Sequence, residues 1–268
     1  MDILLLSVIV LGGLGFIFAA LLALAADYFR AAEDPRIVKI LAILPGTNCG
    51  ACGVAGCRAF AEKLAAAAGD VLVSGCVSGG VTVVQKLAEL MGVAQPTDAH
   101  KKIAAVHCWA KVDQRQALAR YSGVMTCQSA NLVAGGGLMC RYGCLGYADC
   151  VLVCPFDAIK MEQGLPVVDP DRCTGCALCV AACPRQIIDI IPFTKRVIVA
   201  CSSRDSGAVT RKNCPVGCIA CKICEKEVPE IFKVIDNLAR INYNKPGESG
   251  TECEVAINKC PTKCIVKL

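Results

Sequence analysis

The distribution of hydrophobic and polar positions divides the chain after residue 26. Residues 3–26 are apolar almost throughout and contain no charged side chain. At 1.5 Å per helical residue, about 24 residues extend ~36 Å, which is long enough to cross a bilayer. We therefore predict a transmembrane anchor over residues 1–27. A cleaved signal peptide is the alternative, but the chain begins Met1-Asp2 without positive residues, and its apolar run is longer than a signal core.

The charges beside this span predict its orientation. Basic residues follow it at Arg30, Arg36 and Lys39, and none precedes it. Because positive residues stay on the cytoplasmic side, we expect a single pass through the cell (inner) membrane, with the rest of the chain in the cytoplasm. Small residues on the span would let a partner helix approach, although glycine is also common in spans without a partner. They are Ser7, Gly12, Gly13 and Gly15.

Beyond the anchor, two short stretches are predicted to be helical, the second from its helical periodicity. The first covers residues 58–68, and the second covers residues 81–91 with Gly92 as a suitable helix stop. We expect the second helix to contribute packing rather than chemistry.

Cysteine changes this picture, because the 268-residue chain contains 22 of them. Such a content indicates either disulfides in an oxidising compartment or metal ligands in a reducing one. Runs of the form Cys-x2-Cys-x2-Cys-x3-Cys-Pro are typical of bacterial ferredoxins, so the spacing favours cluster ligands. The formal net charge of +5 is mild and the basic residues are scattered, so a nucleic-acid partner is not expected.

The first group of cysteines follows the anchor closely. It has a Cys-x2-Cys-x4-Cys pattern and one further member: Cys49, Cys52, Cys57 and Cys76. Glycines between them let the chain wrap closely, so that backbone N–H groups can point at the sulfurs of a cluster. Zinc with four thiolates is the alternative, but such sites favour two separated Cys-x2-Cys pairs. We predict one [4Fe–4S] cluster in a domain of residues 28–92.

Residues 131–195 carry the strongest pattern, two cysteine runs that each end in Cys-Pro. The runs are Cys140, Cys144, Cys150 and Cys154, then Cys173, Cys176, Cys179 and Cys183. In two-cluster ferredoxins the last cysteine of each run binds the other cluster. One predicted cluster therefore takes Cys140, Cys144, Cys150 and Cys183, and the other takes Cys154, Cys173, Cys176 and Cys179.

Residues 196–268 repeat this pattern in degenerate form. We aligned this segment with the two-cluster pattern, starting from Cys260. Val228 then takes the place of the last cysteine of the first run, which would bind the other cluster. Gly250 and Ala256 take the places of two further cysteines. Only one cluster keeps its ligands, predicted as Cys218, Cys221, Cys224 and Cys260. Cys214 parallels Cys140, since each lies four residues before the next cysteine, and it stays a rival ligand. Residues 237–243 are expected to form a hairpin-like link.

The other thiols receive no ligand role. Residues 93–130 are assigned to a linker region, where a buried free cysteine at Cys108 or Cys127 and a solvated histidine at His100 or His107 are commoner than ligation. The prediction is about four [4Fe–4S] clusters, one N-terminal, two central and one C-terminal. The expected fold is α+β: a single N-terminal transmembrane helix, a small α-rich [4Fe–4S] domain and two ferredoxin-like units.

The order of these features resembles the B subunit of the Rnf electron-transport complex. The segments that carry the resemblance are the apolar span and residues 48–57, 140–150, 154–159, 173–176 and 217–224. Together they cover nearly the whole chain, and their combination is specific although each ferredoxin run alone is not. Longer members of this family have ligands where this chain has Val228, Gly250 and Ala256.

The resemblance implies a component of a membrane ferredoxin:NAD oxidoreductase coupled to Na⁺ or H⁺ translocation. The chain would take electrons from soluble ferredoxin and relay them to membrane subunits, with flavin-bearing subunits among its partners and no catalytic substrate site of its own. Two alternatives stay open. One is an electron-transfer subunit of another membrane oxidoreductase, of hydrogenase or formate dehydrogenase type. The other is a zinc or labile-cluster sensory protein.

Overall fold

The computed structural model describes residues 2–28, 34–66, 75–93, 101–243 and 251–268. The helices are α1 (Asp2–Tyr28), α2 (Pro35–Ile43), α3 (Cys57–Ala66), α4 (Gly80–Met91), α5 (Cys127–Leu132), α6 (Asp149–Leu152), α7 (Leu178–Ala182), α8 (Gly207–Asn213), α9 (Ile223–Glu227) and α10 (Thr251–Lys259). The strands are β1 (Lys102–Val106), β2 (Ile159–Glu162), β3 (Leu165–Val168), β4 (Ile188–Pro192), β5 (Val197–Val199), β6 (Phe232–Ile235), β7 (Leu238–Ile241) and β8 (Ile265–Lys267).

Helix α1 is the apolar stretch at the N-terminus. Its segment Leu5–Ala26 has a mean hydropathy of 2.7 and is long enough to cross a membrane, and none of it is buried within the protein. Side chains exposed on all sides of a helix this apolar need a non-aqueous surrounding. The apolar N-terminal helix that the sequence predicts is therefore present, as α1.

Helices α2, α3 and α4 form the small α-rich domain. Asp34 accepts a hydrogen bond from the Arg36 N–H at 2.8 Å and so caps α2. Gly92 has a φ of 65° and ends α4 where the sequence predicts, because glycine adopts this left-handed conformation without strain. The helix predicted over residues 58–68 is α3, and its last two residues lie outside the described ones. The buried core contains Ile40, Leu44, Phe60, Ala61, Leu64, Leu87 and Ala88.

The first ferredoxin-like unit begins earlier than the sequence suggests. Strand β1 pairs antiparallel with β4, with Lys102 opposite Pro192 and Val106 opposite Ile188, and β2 pairs with β3 as a hairpin. Residues 93–130, assigned above to a linker region, therefore include a strand of this unit. The pairing joins residues more than eighty positions apart, which local sequence patterns do not reveal.

The second unit, within residues 196–268, repeats this arrangement. Strand β5 pairs antiparallel with β8, and β6 pairs with β7 in a hairpin. The two hairpins turn on residue pairs with positive φ, Gln163-Gly164 and Asp236-Asn237, as in the tight turns that match the twist of antiparallel strands. The predicted hairpin-like link at residues 237–243 is thus the turn and second strand of a hairpin.

The two units contact each other along β5. Ile198 and Ala200 belong to the same buried core as β1 and β4. His107 Nδ1 lies 2.7 Å from the Val199 carbonyl oxygen, and Ser202 Oγ donates to the His107 carbonyl at 2.9 Å. The expectation of a solvated histidine is wrong for His107, whose side chain is 17% exposed. His100 lies outside the described residues.

Candidate iron–sulfur sites

The four predicted N-terminal cysteines line one cavity of about 10 Å³, which Ser78 and Phe60 also line. Asn48, at a φ of 47°, accepts the Cys57 N–H through its side chain at 2.9 Å and holds the loop around the cavity. Cys49 Sγ lies 2.9 Å from Ser78 Oγ. Burial opposes ionisation of Cys49, but hydrogen bonds from Ser78 and backbone groups outweigh it and lower the pKa of this thiol.

Four cysteines from the two central runs, predicted to bind one cluster, also lie close together. They are Cys154, Cys173, Cys176 and Cys179. The pKa of Cys179 is raised to about 12, first by burial and then by the charges of Cys173, Cys176 and Cys154. The Ala104 N–H of β1 donates to Cys173 Sγ at 3.4 Å. Gly175 lies between two of these ligands with a φ of 70°, and a Cβ there would stand 2.7 Å from the Lys102 carbonyl oxygen. Only glycine lets the loop approach β1 this closely.

The remaining central set differs from the prediction in one member. Cys144, Cys150 and Cys183 line a cavity of about 20 Å³, whose fourth cysteine is Cys127 rather than Cys140. Asp149, beside Cys150, accepts the backbone N–H groups of Cys127 and Gln128 at 2.9 and 3.1 Å, and so ties α5 to α6. The geometry favours Cys127 as the fourth ligand here, and the ligand assignment itself stays a prediction.

A sequence signal for this difference exists. Cys144 and Cys150 are six residues apart, as are the first and third cysteines of a Cys-x2-Cys-x2-Cys run, and Tyr147 stands where the middle cysteine would be. A ligand from elsewhere in the chain is therefore needed. Cys140 instead lines a separate cavity of about 30 Å³, together with Cys108, Cys201 and Cys214.

The C-terminal cavity, of about 20 Å³, is lined by the four predicted cysteines and by Cys264. Cys264 Sγ lies 3.6 Å from Cys260 Sγ. A hydrogen bond from the Cys264 thiol lowers the pKa of Cys218 to about 6 and that of Cys260 to about 5. Cys221, by contrast, is exposed.

The three cysteine runs fold alike. The residue two positions before the third cysteine of each run has a positive φ of 61–67°, and a short helix follows: these residues are Ala148, Ala177 and Lys222. The third residue after each Cys-Pro cysteine has a φ of 48–51°: these residues are Asp157, Gln186 and Lys263. Repeated turns of this kind present backbone N–H groups to one concave surface, which suits an anionic cluster.

The degenerate half of the last run is filled by side chains. Cys253 and Ala256 of α10 are buried in one core with Phe232, and Val228 packs against it. Gly250 lies outside the described residues. No group of three or more Cys, His, Asp or Glu side chains within the described ranges is placed to hold a single metal ion. In a cubane cluster the thiolates bind separate iron atoms, so the sulfurs spread around its corners.

Ferredoxin-like units with repeated four-cysteine cavities, next to an apolar helix long enough to span a bilayer, define a membrane-associated iron–sulfur protein. Three family models agree: "Putative Fe-S cluster" matches residues 44–77, "4Fe-4S binding domain" matches residues 165–188, and "4Fe-4S single cluster domain of Ferredoxin I" matches residues 212–266. The protein therefore binds [4Fe–4S] clusters.

Curated relatives match almost the whole chain. The B subunit of a Na⁺-translocating ferredoxin:NAD⁺ oxidoreductase complex from Acetobacterium woodii is 41% identical over 99% of this chain and 78% of its own. The B subunit of an ion-translocating oxidoreductase complex from Methanosarcina acetivorans is 37% identical over 98% of both chains. The B subunit of a proton-translocating ferredoxin:NAD⁺ oxidoreductase complex from Clostridium ljungdahlii is 36% identical over 99% of this chain and 93% of its own. The chain belongs to the B-subunit family of the ion-translocating (Rnf) oxidoreductase complexes.

Proposed function

We propose that this chain is the iron–sulfur electron-transfer subunit of a membrane-bound, ion-translocating ferredoxin:NAD oxidoreductase. It accepts electrons from soluble ferredoxin and relays them through [4Fe–4S] clusters to membrane and flavin-bearing subunits of the complex. The observation that carries this proposal is the series of cysteine-lined cavities that leads from the domain beside the anchor to the C-terminal unit. The B-subunit relatives support it over nearly the full length of the chain.

About four clusters follow from the predicted ligands. The N-terminal cluster is held by Cys49, Cys52, Cys57 and Cys76, and the C-terminal cluster by Cys218, Cys221, Cys224 and Cys260. Of the central clusters, one is held by Cys154, Cys173, Cys176 and Cys179. The other is held by Cys144, Cys150 and Cys183 with a fourth thiolate, for which the sequence template favours Cys140 and the cavity lining favours Cys127.

Electrostatic interactions between neighbouring cysteine sets support a continuous path. The pKa of Cys176 is raised by burial, and the charge of Cys49 in the N-terminal domain raises it further. The pKa of Cys150 is raised to about 12, first by burial, and Cys179 of the adjoining set is among the charges that contribute. These interactions need short separations, since charge effects fall off with distance. One-electron transfer between clusters needs short separations too.

Electrons enter at the C-terminal cluster and leave near Cys49–Cys76, beside the anchor. The exposure of Cys221 supports this direction, because a soluble donor must approach a cluster closely. The exposed Lys222 lines the same cavity and offers a positive charge to a negatively charged partner. The anchor crosses the membrane once, and the basic residues after it support a cytoplasmic position for the clusters.

The test mixes reduced soluble ferredoxin with the oxidised full-length protein in detergent without oxygen, and follows the loss of cluster absorbance. We expect rapid bleaching whose rate falls as salt increases. Lys222→Glu should slow the second-order step several-fold at low salt. Lys160→Glu is the matched control, because it makes the same charge change on an exposed position of β2 in the first unit. Absence of bleaching by ferredoxin in the wild-type protein would contradict the proposed donor.

A further inference from the structure

The cavity of about 30 Å³ lined by Cys140 lies between the two ferredoxin-like units, and the predicted clusters do not account for it. Its four cysteines come in equal numbers from the two units: Cys108 and Cys140 from the first, Cys201 and Cys214 from the second. It is similar in volume to the two cavities assigned to clusters within the same units. We call it the inter-unit cavity.

The two cysteine pairs occupy equivalent positions in the repeated fold. Cys108 follows the end of β1 by two residues, and Cys201 follows the end of β5 by two residues. Cys140 lies four residues before Cys144, and Cys214 lies four residues before Cys218. The inter-unit cavity thus has two equivalent halves, one from each unit, that face each other. A chance collection of free thiols would not follow the internal repeat.

Each of the four sulfurs accepts backbone hydrogen bonds. Cys140 accepts N–H groups from Tyr142 and Gly143, and Cys214 accepts the equivalent groups from Val216 and Gly217. These two loops have the same Cys-x2-Gly form. Backbone N–H groups directed at sulfur stabilise thiolate ligands and are the usual surroundings of iron–sulfur clusters.

The other two sulfurs join the cavity to its neighbours. Cys108 Sγ accepts the backbone N–H of Cys144 at 3.4 Å. Cys201 Sγ accepts the N–H of Ser203 at 3.4 Å and that of Cys218. Cys144 is a predicted ligand of a central cluster, and Cys218 is a predicted ligand of the C-terminal cluster. One hydrogen bond on each side therefore separates the inter-unit cavity from a cluster ligand.

We propose that the inter-unit cavity holds a further [4Fe–4S] cluster, with Cys108, Cys140, Cys201 and Cys214 as its ligands. Cys127 then completes the site of Cys144, Cys150 and Cys183, so that Cys140 serves only one cluster. The chain carries five clusters in this arrangement. Cys253 and Cys264 are the cysteines that bind none.

The added cluster connects the two units electronically. Cys201 and Cys214 would hold the added cluster on the side of the C-terminal site, and Cys108 and Cys140 would hold it on the side of Cys144. A cluster held there would supply a one-electron centre between the two units. This use of the site rests on the proposed function, whereas the presence of the cluster rests on the cavity alone.

The first test is the iron and acid-labile sulfide content of the full-length protein purified without oxygen. Five cubane clusters require about 20 of each per chain, and four require about 16. A value near 20 with no zinc is expected. A value near 16, or one equivalent of zinc in place of a cluster, would overturn the proposal.

The second test places the added cluster. Cys108→Ala and Cys201→Ala lie in different units, yet each should remove about four iron atoms, and the double variant should lose the same four rather than eight. Cys127→Ala should remove a different four, so that its combination with Cys201→Ala loses about eight. Cys253→Ala is the control, because this buried cysteine lines neither the inter-unit cavity nor the C-terminal one, and it should keep all the iron.

Additive losses from Cys108→Ala and Cys201→Ala would show that the two residues serve different clusters, and unchanged iron in either would show that it is no ligand. Both results contradict the proposal. If the variants do not fold, the wild-type stoichiometry still decides between five clusters and four. A protein with about 20 iron atoms that ferredoxin does not reduce would keep the site and refute the proposed function instead.

Discussion

The two ferredoxin-like units share a frame of paired strands and hairpin turns, but they differ in the side chains packed within it. Both close a terminal strand pair, β1 with β4 and β5 with β8, and both carry a hairpin that turns on two positive-φ residues. The first unit gathers two sets of cysteines within this frame. The second gathers one, and helix α10 with Cys253 and Ala256 packs beside Phe232 in place of the other. Strand pairing and turns therefore set the frame, while a few side chains decide between a cluster and an apolar core.

The largest expected effect is the loss of a cluster from the first unit. Cys154→Ala and Cys183→Ala should each remove about four iron atoms, and each should affect the cluster held mainly by the opposite run. Membrane insertion should be unchanged, since α1 is separate from this unit. Iron and sulfide analysis with EPR of the reduced protein measures the loss.

Val228→Ala is the matched control for this pair. Val228 holds the equivalent cross-ligand position in the second unit, four residues after Cys224. It packs against an apolar core there, so its truncation should leave the iron content unchanged. Full cluster content in either cysteine variant would refute the exchange of ligands between the runs.

The next effect concerns the apolar core that replaces a cluster in the second unit. Phe232 is completely buried, so Phe232→Ala should lower the free energy of unfolding of this unit by about 3–5 kcal/mol. Ile235→Ala is the control, because Ile235 lies on the same strand with 44% of its surface exposed. Denaturant unfolding of the holoprotein without oxygen, followed at the C-terminal cluster, measures both. Equal effects of the two substitutions would show that this core does not stabilise the unit.

Local patterns in the sequence predicted much of this molecule. The apolar run gave α1, the periodicity before Gly92 gave α4, and the absent cysteines at Val228 and Ala256 pointed to a single C-terminal set. Each of these features depends on residues close together in the chain. The three Cys-Pro turns also fold as their similarity suggests.

Contacts between distant segments were not predictable in this way. Strand β1 joins β4 across an intervening run of cysteines, and this pairing brings Cys108 next to Cys144. Spacing assigned Cys140 to the nearest ligand set, but the hydrogen bond that ties the start of α5 to Asp149 brings Cys127 to that cavity. Distribution of thiols among cavities is a property of the folded units, because a sulfur within four residues of a ligand can still face another cavity.

A smaller expected effect concerns Arg185 and the reduction potential of the central cluster beside it. Arg185 donates hydrogen bonds to the Arg141 and Gly135 carbonyl oxygens, and burial lowers its pKa while the charges of Cys140, Cys183 and Cys144 raise it. A positive charge beside a cluster stabilises its reduced form. Arg185→Met should therefore lower the potential of the adjoining cluster by roughly 59 mV, a tenfold change in the electron-transfer equilibrium.

Arg185→Lys is the control in this case, since it keeps the charge while losing the paired hydrogen bonds. Redox titration followed by EPR distinguishes the two variants. A potential that falls equally in both would assign the effect to the loop that Arg185 holds at Gly135 and Arg141 rather than to its charge.

The smallest expected effect distinguishes a ligand from its neighbour in the second unit. Cys264 lies in the C-terminal cavity beside Cys260, but in the repeated Cys-Pro turn it occupies the position of Ala158 and Ile187. Cys264→Ala should therefore keep all the iron, whereas Cys260→Ala should lose about four atoms. Because the Cys264 thiol donates to the ligand sulfurs, its removal should lower the potential of this cluster slightly. Loss of iron from Cys264→Ala would make Cys264 a ligand and break its equivalence with Ala158.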